Sequence, residues 1–477
     1  MRRARCKRCF AGGNVEGGGW DNLLPGVRMQ KATLRRLGIA LLACALPAFA
    51  QGPNLSAALP LEHQEKGANS AAAQAAHYVV LVSLDGFRWD YAERDGAKHL
   101  LALGKAGAWA PQGMVPSFPS VTFPNHYTIV TGLYPEHHGI VANNFYDPAR
   151  HARYGIHDSA AVTDGTWYGG VPLWSLAESQ GMRTACLFWP GSEAEIAGQR
   201  PTWYAKFDAK TEGTAAVEQA RIDDAVVLLK LPAEERPHFI AMYFPEPDHE
   251  GHEYGPDAPQ TKAAVLKMDA VVGRLRVALE KTGLPIDLVV VSDHGMAKIE
   301  GPWVTLDAFA DLANFKTVGA LLYPKSEEDA AKAYNELKHA SSEFFVYRRK
   351  NVPGNLHFDT NEREGDPVVI PTGPYAVRAH KTAREGSASP STAGTDEPSK
   401  GAHGFDPQRM PEMKAIFFAA GPDIVPGKRV QPFENVNLYP WMAHLLGLTA
   451  AKNDGNPNIL AGTLRDGGGE TSAEEQK

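Results

Sequence analysis

The chain has 477 residues, 43% of them hydrophobic and 22% charged, enough to bury a substantial core in one large domain or two medium ones. A formal charge of −7 and a pI near 6.2 exclude an electrostatic binder of nucleic-acid polymers, but leave open a small anionic substrate held by metal ions.

Residues 1–28, rich in Arg, Cys and Gly without apolar periodicity, read as an upstream start assigned in error, with Met29 as the initiator. Cys6-x-x-Cys9 lacks the second pair a structural zinc site needs. Lys31, Arg35 and Arg36 precede the apolar run Leu37 to Leu46 and the small-x-small site Ala48-Phe49-Ala50, so residues 29–50 read as a signal peptide. That run is too short to cross a membrane. The mature chain is then expected to start at Gln51, secreted or periplasmic and without a transmembrane span. Leu41-Leu42-Ala43-Cys44 offers the alternative of a lipid-anchored Cys44. Cleavage after Ala50 leaves Cys186 as the mature chain's single cysteine, so no intramolecular disulfide is expected. Residues 51–77, rich in Ala, Gln and Ser, read as a linker.

Tyr78 to Leu84 is a continuous apolar and β-branched run, as in a strand buried on both faces. Thr184 to Phe188, Phe239 to Phe244 and Ile286 to Ser292 repeat the pattern, with another strand-like run at Met413 to Phe418. Helical stretches lie between them, at Ala92 to Ala106, Leu173 to Gln180, Thr214 to Leu229 and Gln260 to Thr282. This alternation predicts an α/β fold with a mainly parallel sheet sandwiched by helices. Ligands of such sheets bind beyond the carboxyl ends of the strands, so polar residues just after strands are the ones to weigh.

Asp85-Gly86 follows the first run, Asp248-His249-Glu250-Gly251-His252 the third and Asp293-His294-Gly295 the fourth. Any one of these alone is an ordinary turn or capped strand end. Three at equivalent ends point to metal ligation, with Asp248 and His252 four residues apart and able to face one ion. His403, in Gly401-Ala-His-Gly404, is a further candidate. Ser117 to Gly132 holds Thr122 and Phe123 at a helix N-terminus, where free N–H groups and the helix dipole favour a phosphate or sulfate. Thr122 alone could equally be a helix cap. His126, His137, His138 and His249 read as structural or solvent-facing.

Residues 301–400 carry a mixed strand and helix pattern, including Glu327 to Lys338, and suggest a small inserted subdomain above the sheet ends. Within it, residues 384–400 are too polar to pack and read as a mobile loop. The tail, 449–477, is expected to be flexible, and the folded domain to span 78–448.

Asp85-Gly86-Phe87-Arg88, Thr122-Phe123-Pro124-Asn125-His126, Asn143-Asn144, Glu246-Pro247-Asp248 to His252, Ser292 to Met296 and Gly401 to Gly404 together resemble the nucleotide pyrophosphatase/phosphodiesterase family of the alkaline phosphatase superfamily. The resemblance runs from about Tyr78 to Leu448 and implies an alkaline-phosphatase-like fold. It implies two Zn²⁺ ions, one held by Asp248, His252 and His403, the other by Asp85, Asp293, His294 and the Thr122 oxygen. Nitrogen and carboxylate donors without thiolates suit Zn²⁺, and ions about 4 Å apart can clamp both oxygens of an in-line displacement. By the same resemblance Thr122 is the nucleophile and passes through a phospho-threonine, Asn143 supports a non-bridging phosphate oxygen, and Phe123, Tyr243 and Tyr204 form a nucleobase slot. Without it, Asn143 would be a turn residue, and Phe123 and Tyr243 could simply pack the core. No Lys or Arg lies between Lys105 and Arg150, which suits a diester better than a monoester dianion. The expected substrate is a small nucleotide or phosphodiester, cleaved to release a nucleoside monophosphate. A phosphomonoesterase, a phospholipid (choline) head-group phosphodiesterase and an exported non-catalytic metal-binding protein remain as alternatives. A sulfatase needs Cys or Ser in Cys/Ser-x-Pro-x-Arg, which Thr122 to His126 does not match.

Overall fold

A computed structural model describes residues 53–381 and 398–466. Its frame is a nine-stranded sheet: β1 (Leu61–His63), β2 (Tyr78–Leu84), β3 (Ala108–Trp109), β4 (Thr184–Leu187), β5 (Trp203–Ala205), β6 (Phe239–Phe244), β7 (Ile286–Val291), β8 (Phe417–Ala420) and β9 (Lys428–Arg429). Across the sheet the order is β1-β5-β4-β6-β2-β7-β8-β3-β9. The central run from β5 to β7 is parallel throughout, and β1 and β8 join it antiparallel.

The long apolar runs become the inner strands because both faces are covered. Val79 and Leu81 belong to one apolar layer, while Tyr78, Val80, Val82 and Leu84 belong to the layer on the other face. Trp174 and Trp441 fill the first layer, and the helices Ala215–Leu229 and Pro259–Glu280 cover the second. The helix expected over Ala92 to Ala106 is two pieces, Tyr91–Asp95 and Lys98–Ala106, because Gly96 adopts φ 79° and ends the first.

The stretch read as a linker is built into the fold. Leu61–His63 pairs with Trp203–Ala205 at the sheet edge, and Ser70 caps a short helix, Ala71–Ala75. Asn69 anchors this segment through its amide, which donates to Ala233 O and Arg236 O while its oxygen accepts from Arg183 N. The segment has no apolar run of strand or helix length; backbone pairing, the buried Asn69 amide, and Leu59 and Ala73, which enter the two apolar layers, hold it. The tail is also partly ordered: Asn458–Ala461 is helical, Leu460 and Leu464 are buried, and Trp441 donates its indole N–H to Thr463. The signal segment 29–50 and the start at Met29 lie outside the described residues, as does most of the 384–400 loop. Among the described residues no helix is long and apolar enough to cross a membrane.

Between β7 and β8, the antiparallel pairs Phe315–Val318 with Leu321–Pro324 and Phe344–Tyr347 with Val368–Pro371 lie beside the helix Glu327–Leu337. These elements share an apolar cluster of their own around Leu306, Leu322, Leu337 and Phe344. They also wall one side of a large cavity at the carboxyl ends of the strands.

Candidate active site

Asp85, Asp248, Asp293 and His294 are delivered by the ends of apolar strands, while His252 lies one turn along a helix and His403 comes from a separate loop. Asp85 follows β2, Asp293 and His294 follow β7, and Asp248 opens the helix Asp248–Tyr254 just after β6. Close backbone approach brings these ends together. Gly86 sits at φ +65°, and a Cβ there would lie 2.8 Å from the Asp248 Cα, so only glycine fits. Likewise a Cβ on Gly401 would lie 2.3 Å from Gly251 O, which lets the His403 loop lie against the Asp248 helix.

One group is Asp248, His252 and His403, whose ligand atoms all lie within 4.8 Å of one another. His252 Nε2 is 3.4 Å from Asp248 Oδ2, and His403 Nε2 is 3.6 Å from Asp248 Oδ1. Beside it, His294 Nε2 lies 2.9 Å from Asp293 Oδ2, 3.6 Å from Asp85 Oδ1 and 3.4 Å from Thr122 Oγ1. Asp85 also groups with Asp248 and His294, so the two sets are contiguous.

The three imidazoles are oriented alike. Nδ1 of His252 faces Gly401 O, that of His403 faces Ser120 O, and that of His294 faces Gly295 O, at 2.8 to 2.9 Å. With Nδ1–H donating to a carbonyl, Nε2 is left as a lone pair aimed into the site, the orientation that metal-bound histidines take. Asp85 Oδ1, Asp248 Oδ1 and Asp293 Oδ2 are buried and find no hydrogen-bond donor among the described residues. Burial, then the Asp293 and Asp248 carboxylates, pushes the Asp85 carboxyl well above its usual range. Burial also tends to raise Asp293, but His294 and His126 outweigh it and hold that carboxyl below the usual range. Burial and the neighbouring His294 and His252 hold the His403 imidazole well below its ordinary value. Buried carboxylate oxygens gathered with imidazole nitrogens are a donor set that fits divalent cations of borderline softness.

Thr122 is the first residue of the helix Thr122–Thr131, and the cap position belongs to Val121, which has no side-chain oxygen. The hydroxyl is therefore not a cap; it faces His294. Asn143 accepts the Phe123 N–H at 2.8 Å, leaving its NH₂ as the free end in the cavity. His126, read as structural, is wholly buried and lies within the site. Its Nδ1 is 2.8 Å from Thr122 O, its Nε2 2.8 Å from Ser83 Oγ, so both nitrogens are engaged in holding the Thr122 backbone to β2.

The aromatic candidates divide. Phe123 lines the cavity and meets Tyr154 edge to face. Tyr243 also lines it, but its hydroxyl donates to Asp85 Oδ2 at 2.6 Å, and its ring is met edgewise by His126 and Phe188. Its visible task is to fix Asp85. Tyr204 does not line the cavity: it sits within β5, 3% exposed, with its hydroxyl accepting from Arg200. Phe207, just past the end of that strand, is 39% exposed and reaches the cavity beside Phe188. A three-residue strand gives too little pattern to locate its end, so the sequence did not separate Tyr204 from the cavity-lining Phe207.

The cavity measures about 1040 Å³. Its far wall comes from the 301–400 region and includes Trp303, Leu321, Val368, Tyr375, Arg378 and Lys381. Arg378 stacks on Trp303 at 5.0 Å. The scarcity of cations near Thr122 in sequence is thus balanced by two that arrive from the insert.

A hydroxyl beside paired metal-ligand clusters, at the carboxyl ends of a mainly parallel sheet, defines an alkaline-phosphatase-like metallohydrolase acting on phosphate esters. Residues 79–406 match the type I phosphodiesterase / nucleotide pyrophosphatase family. An uncharacterised pyrophosphatase/phosphodiesterase of Schizosaccharomyces pombe is 35% identical over 399 residues, covering 79% of this chain and 78% of that protein. Ectonucleotide pyrophosphatase/phosphodiesterase family member 7 of Mus musculus is 32% identical over 417 residues, covering 83% and 89%. Murine ectonucleotide pyrophosphatase/phosphodiesterase 5, solved as an inactive form in complex with AMP, superposes with a TM-score of 0.73 at 26% identity, covering 81% of this chain and all of that one. The chain belongs to the nucleotide pyrophosphatase/phosphodiesterase family of the alkaline phosphatase superfamily and is a hydrolase.

Proposed function

We propose that the chain is a two-zinc phosphodiesterase that cleaves nucleotide phosphodiester or pyrophosphate bonds through Thr122 and releases a nucleoside monophosphate. The observation that carries this reading is the Thr122 hydroxyl, free of any capping role and 3.4 Å from His294 Nε2 at the edge of the ligand clusters. Asp248, His252 and His403 would hold one ion, and Asp85, Asp293, His294 and the Thr122 oxygen the other. Bound Zn²⁺ supplies Lewis acidity, which makes a hydroxyl nucleophilic near neutral pH and offsets phosphate charge.

The chain's own groups divide the remaining work. Thr122 Oγ1 forms a bond to phosphorus as the bond to the leaving oxygen breaks, the hydroxyl proton passing overall to the leaving oxygen; this gives a phospho-threonine that still carries the nucleoside, and a free alcohol or phosphate. Water then attacks the same phosphorus, restores the threonine hydroxyl and releases the monophosphate. Asn143, its carbonyl oxygen held by Phe123 N–H, presents its NH₂ to a non-bridging oxygen. His126 holds the Thr122 carbonyl, and Tyr243 holds Asp85, so both positions are preorganised. Phe123 and Phe207 offer the apolar faces for a base, and the AMP bound in the murine relative supports a nucleotide there. Arg378 and Lys381, on the insert's wall of the same cavity, would offset phosphate charge.

A second reading follows from the insert's apolar wall, Leu321, Phe358, Val368 and Tyr375, which also suits the lipid end of a head-group phosphodiester. Comparing kcat/KM for a nucleotide diester, a nucleotide monoester and a choline phosphodiester separates them. Preference for the nucleotide diester is expected; preference for the choline substrate would establish the second reading. Export to the periplasm or medium belongs to the same proposal, with a lipid anchor on Cys44 as its alternative, and N-terminal sequencing of exported protein distinguishes the two.

A further inference from the structure

We infer that His77, Asp287 and Asp423 form a separate divalent-cation site at the opposite end of the sheet from the catalytic clusters. His77 immediately precedes β2, Asp287 is the second residue of β7, and Asp423 lies in the turn after β8. Because β2 and β7 run parallel and β8 runs antiparallel to them, these three positions meet at one edge. β2 separates His77 from Asp85 by seven residues, about 25 Å of extended chain. The two ends of the same strands thus carry independent clusters.

The geometry is that of a ligand set. One ligand atom from each residue falls within 4.8 Å of the others. His77 Nδ1 is 2.7 Å from Asp423 Oδ2. Asp287 is 0% exposed; its Oδ1 accepts the Asp423 N–H, while its Oδ2 is buried without a donor among the described residues. That carboxylate cannot swing away, because a Cβ on Gly421 would lie 2.2 Å from Asp287 Oδ1, so backbone closes that side. The ion pair within this cluster is with His77 alone, and no Lys or Arg joins it among the described residues. Two carboxylates facing each other, one fully buried, call for a cation between them.

The side chains of His77 and Asp423 are 39% and 36% exposed, so an ion has a path in and water can complete its shell. One imidazole nitrogen with two carboxylate oxygens suits Zn²⁺, Ni²⁺ or Co²⁺ better than Ca²⁺ or Mg²⁺, which take oxygen-rich shells. Such an ion would tie the starts of β2 and β7 to the turn after β8, on the far side from substrate. The competing occupant is a proton: burial, and to a lesser degree Asp423, push the Asp287 carboxyl up to about 7.

The test uses full-length protein saturated with Zn²⁺, freed of excess by gel filtration, and counted by inductively coupled plasma mass spectrometry. Wild type is compared with His77→Ala and Asp423→Asn, both at half-exposed positions. Each variant is expected to carry one ion fewer per chain, to gain less thermal stability on Zn²⁺ addition, and to keep its nucleotide-diester turnover. Equal ion counts in wild type and in either folded variant would overturn the site. So would an equal Zn²⁺-induced shift in Tm, which would leave the proton as the occupant.

Discussion

The Nε2 atoms of His252 and His403 face each other at 3.1 Å, although both rings direct Nδ1 at a backbone carbonyl. Two lone pairs at that distance repel unless a cation lies between them. The pair is therefore stabilised by a cation, whether a metal ion or a proton, held between the two nitrogens. Chelation should abolish turnover and also lower Tm, and Zn²⁺ should restore both, because an ion bound only by the folded state stabilises it by mass action. Unchanged Tm after complete metal removal would contradict this.

The hydrogen bond from Tyr243 to Asp85 Oδ2 leaves Oδ1 as the free oxygen of that carboxylate. Tyr243→Phe keeps the ring and removes the bond. A loss of about 10–100-fold in Zn²⁺ affinity or kcat is expected, with KM for a base-free aryl diester little changed. If the residue served only to stack a base, KM for nucleotides alone would rise.

Phe207 reaches the cavity and Tyr204 does not. Phe207→Ala should therefore lower kcat/KM for a nucleotide diester by about 1–3 kcal/mol of lost stacking, roughly 5- to 150-fold, and spare a base-free diester. Tyr204→Phe should leave both within about twofold. Equal losses on both substrates would remove the stacking role.

Much of the site was legible because its ligands end long apolar runs. β2, β6 and β7 are six or seven residues long and hydrophobic apart from Ser83 and Asp287, so Asp85, Asp248 and Asp293 could be placed at equivalent ends before any coordinates. Short elements left no such signal. β1 and β5 are three residues each, which is why residues 51–77 read as a linker and Tyr204 stood in for Phe207. His126 looked structural because the expected ligand sets were already full without it; its contact with Ser83 exists only once β2 and the helix pack together. Arg378 and Lys381 are more than two hundred residues from Thr122 in sequence, and only the insert's fold brings them to the cavity.

Glu364 is fully buried in the insert, with Oε1 lacking a donor. Burial, then Glu136, pushes its carboxyl from 4.5 up to about 9, so it stays protonated in the folded chain at neutral pH. An acid whose pKa is raised on folding costs stability as pH rises from its unfolded value toward its folded one. Glu364→Gln should therefore raise Tm at pH 8 by a few degrees, on the order of 1 kcal/mol, and change it little at pH 4. A drop at pH 8 would mean the carboxyl is ionised and paired.

Covalent catalysis by Thr122 is tested most directly by measuring nucleotide-diester turnover and metal content on the same preparation of Thr122→Ala. Asp85, Asp293 and His294 still converge in the variant, so metal content should stay close to wild type. Turnover should fall at least about 1000-fold, the scale on which removal of a nucleophile acts. Near-normal turnover with metal in place would mean that water attacks phosphorus directly and that Thr122 is not the nucleophile.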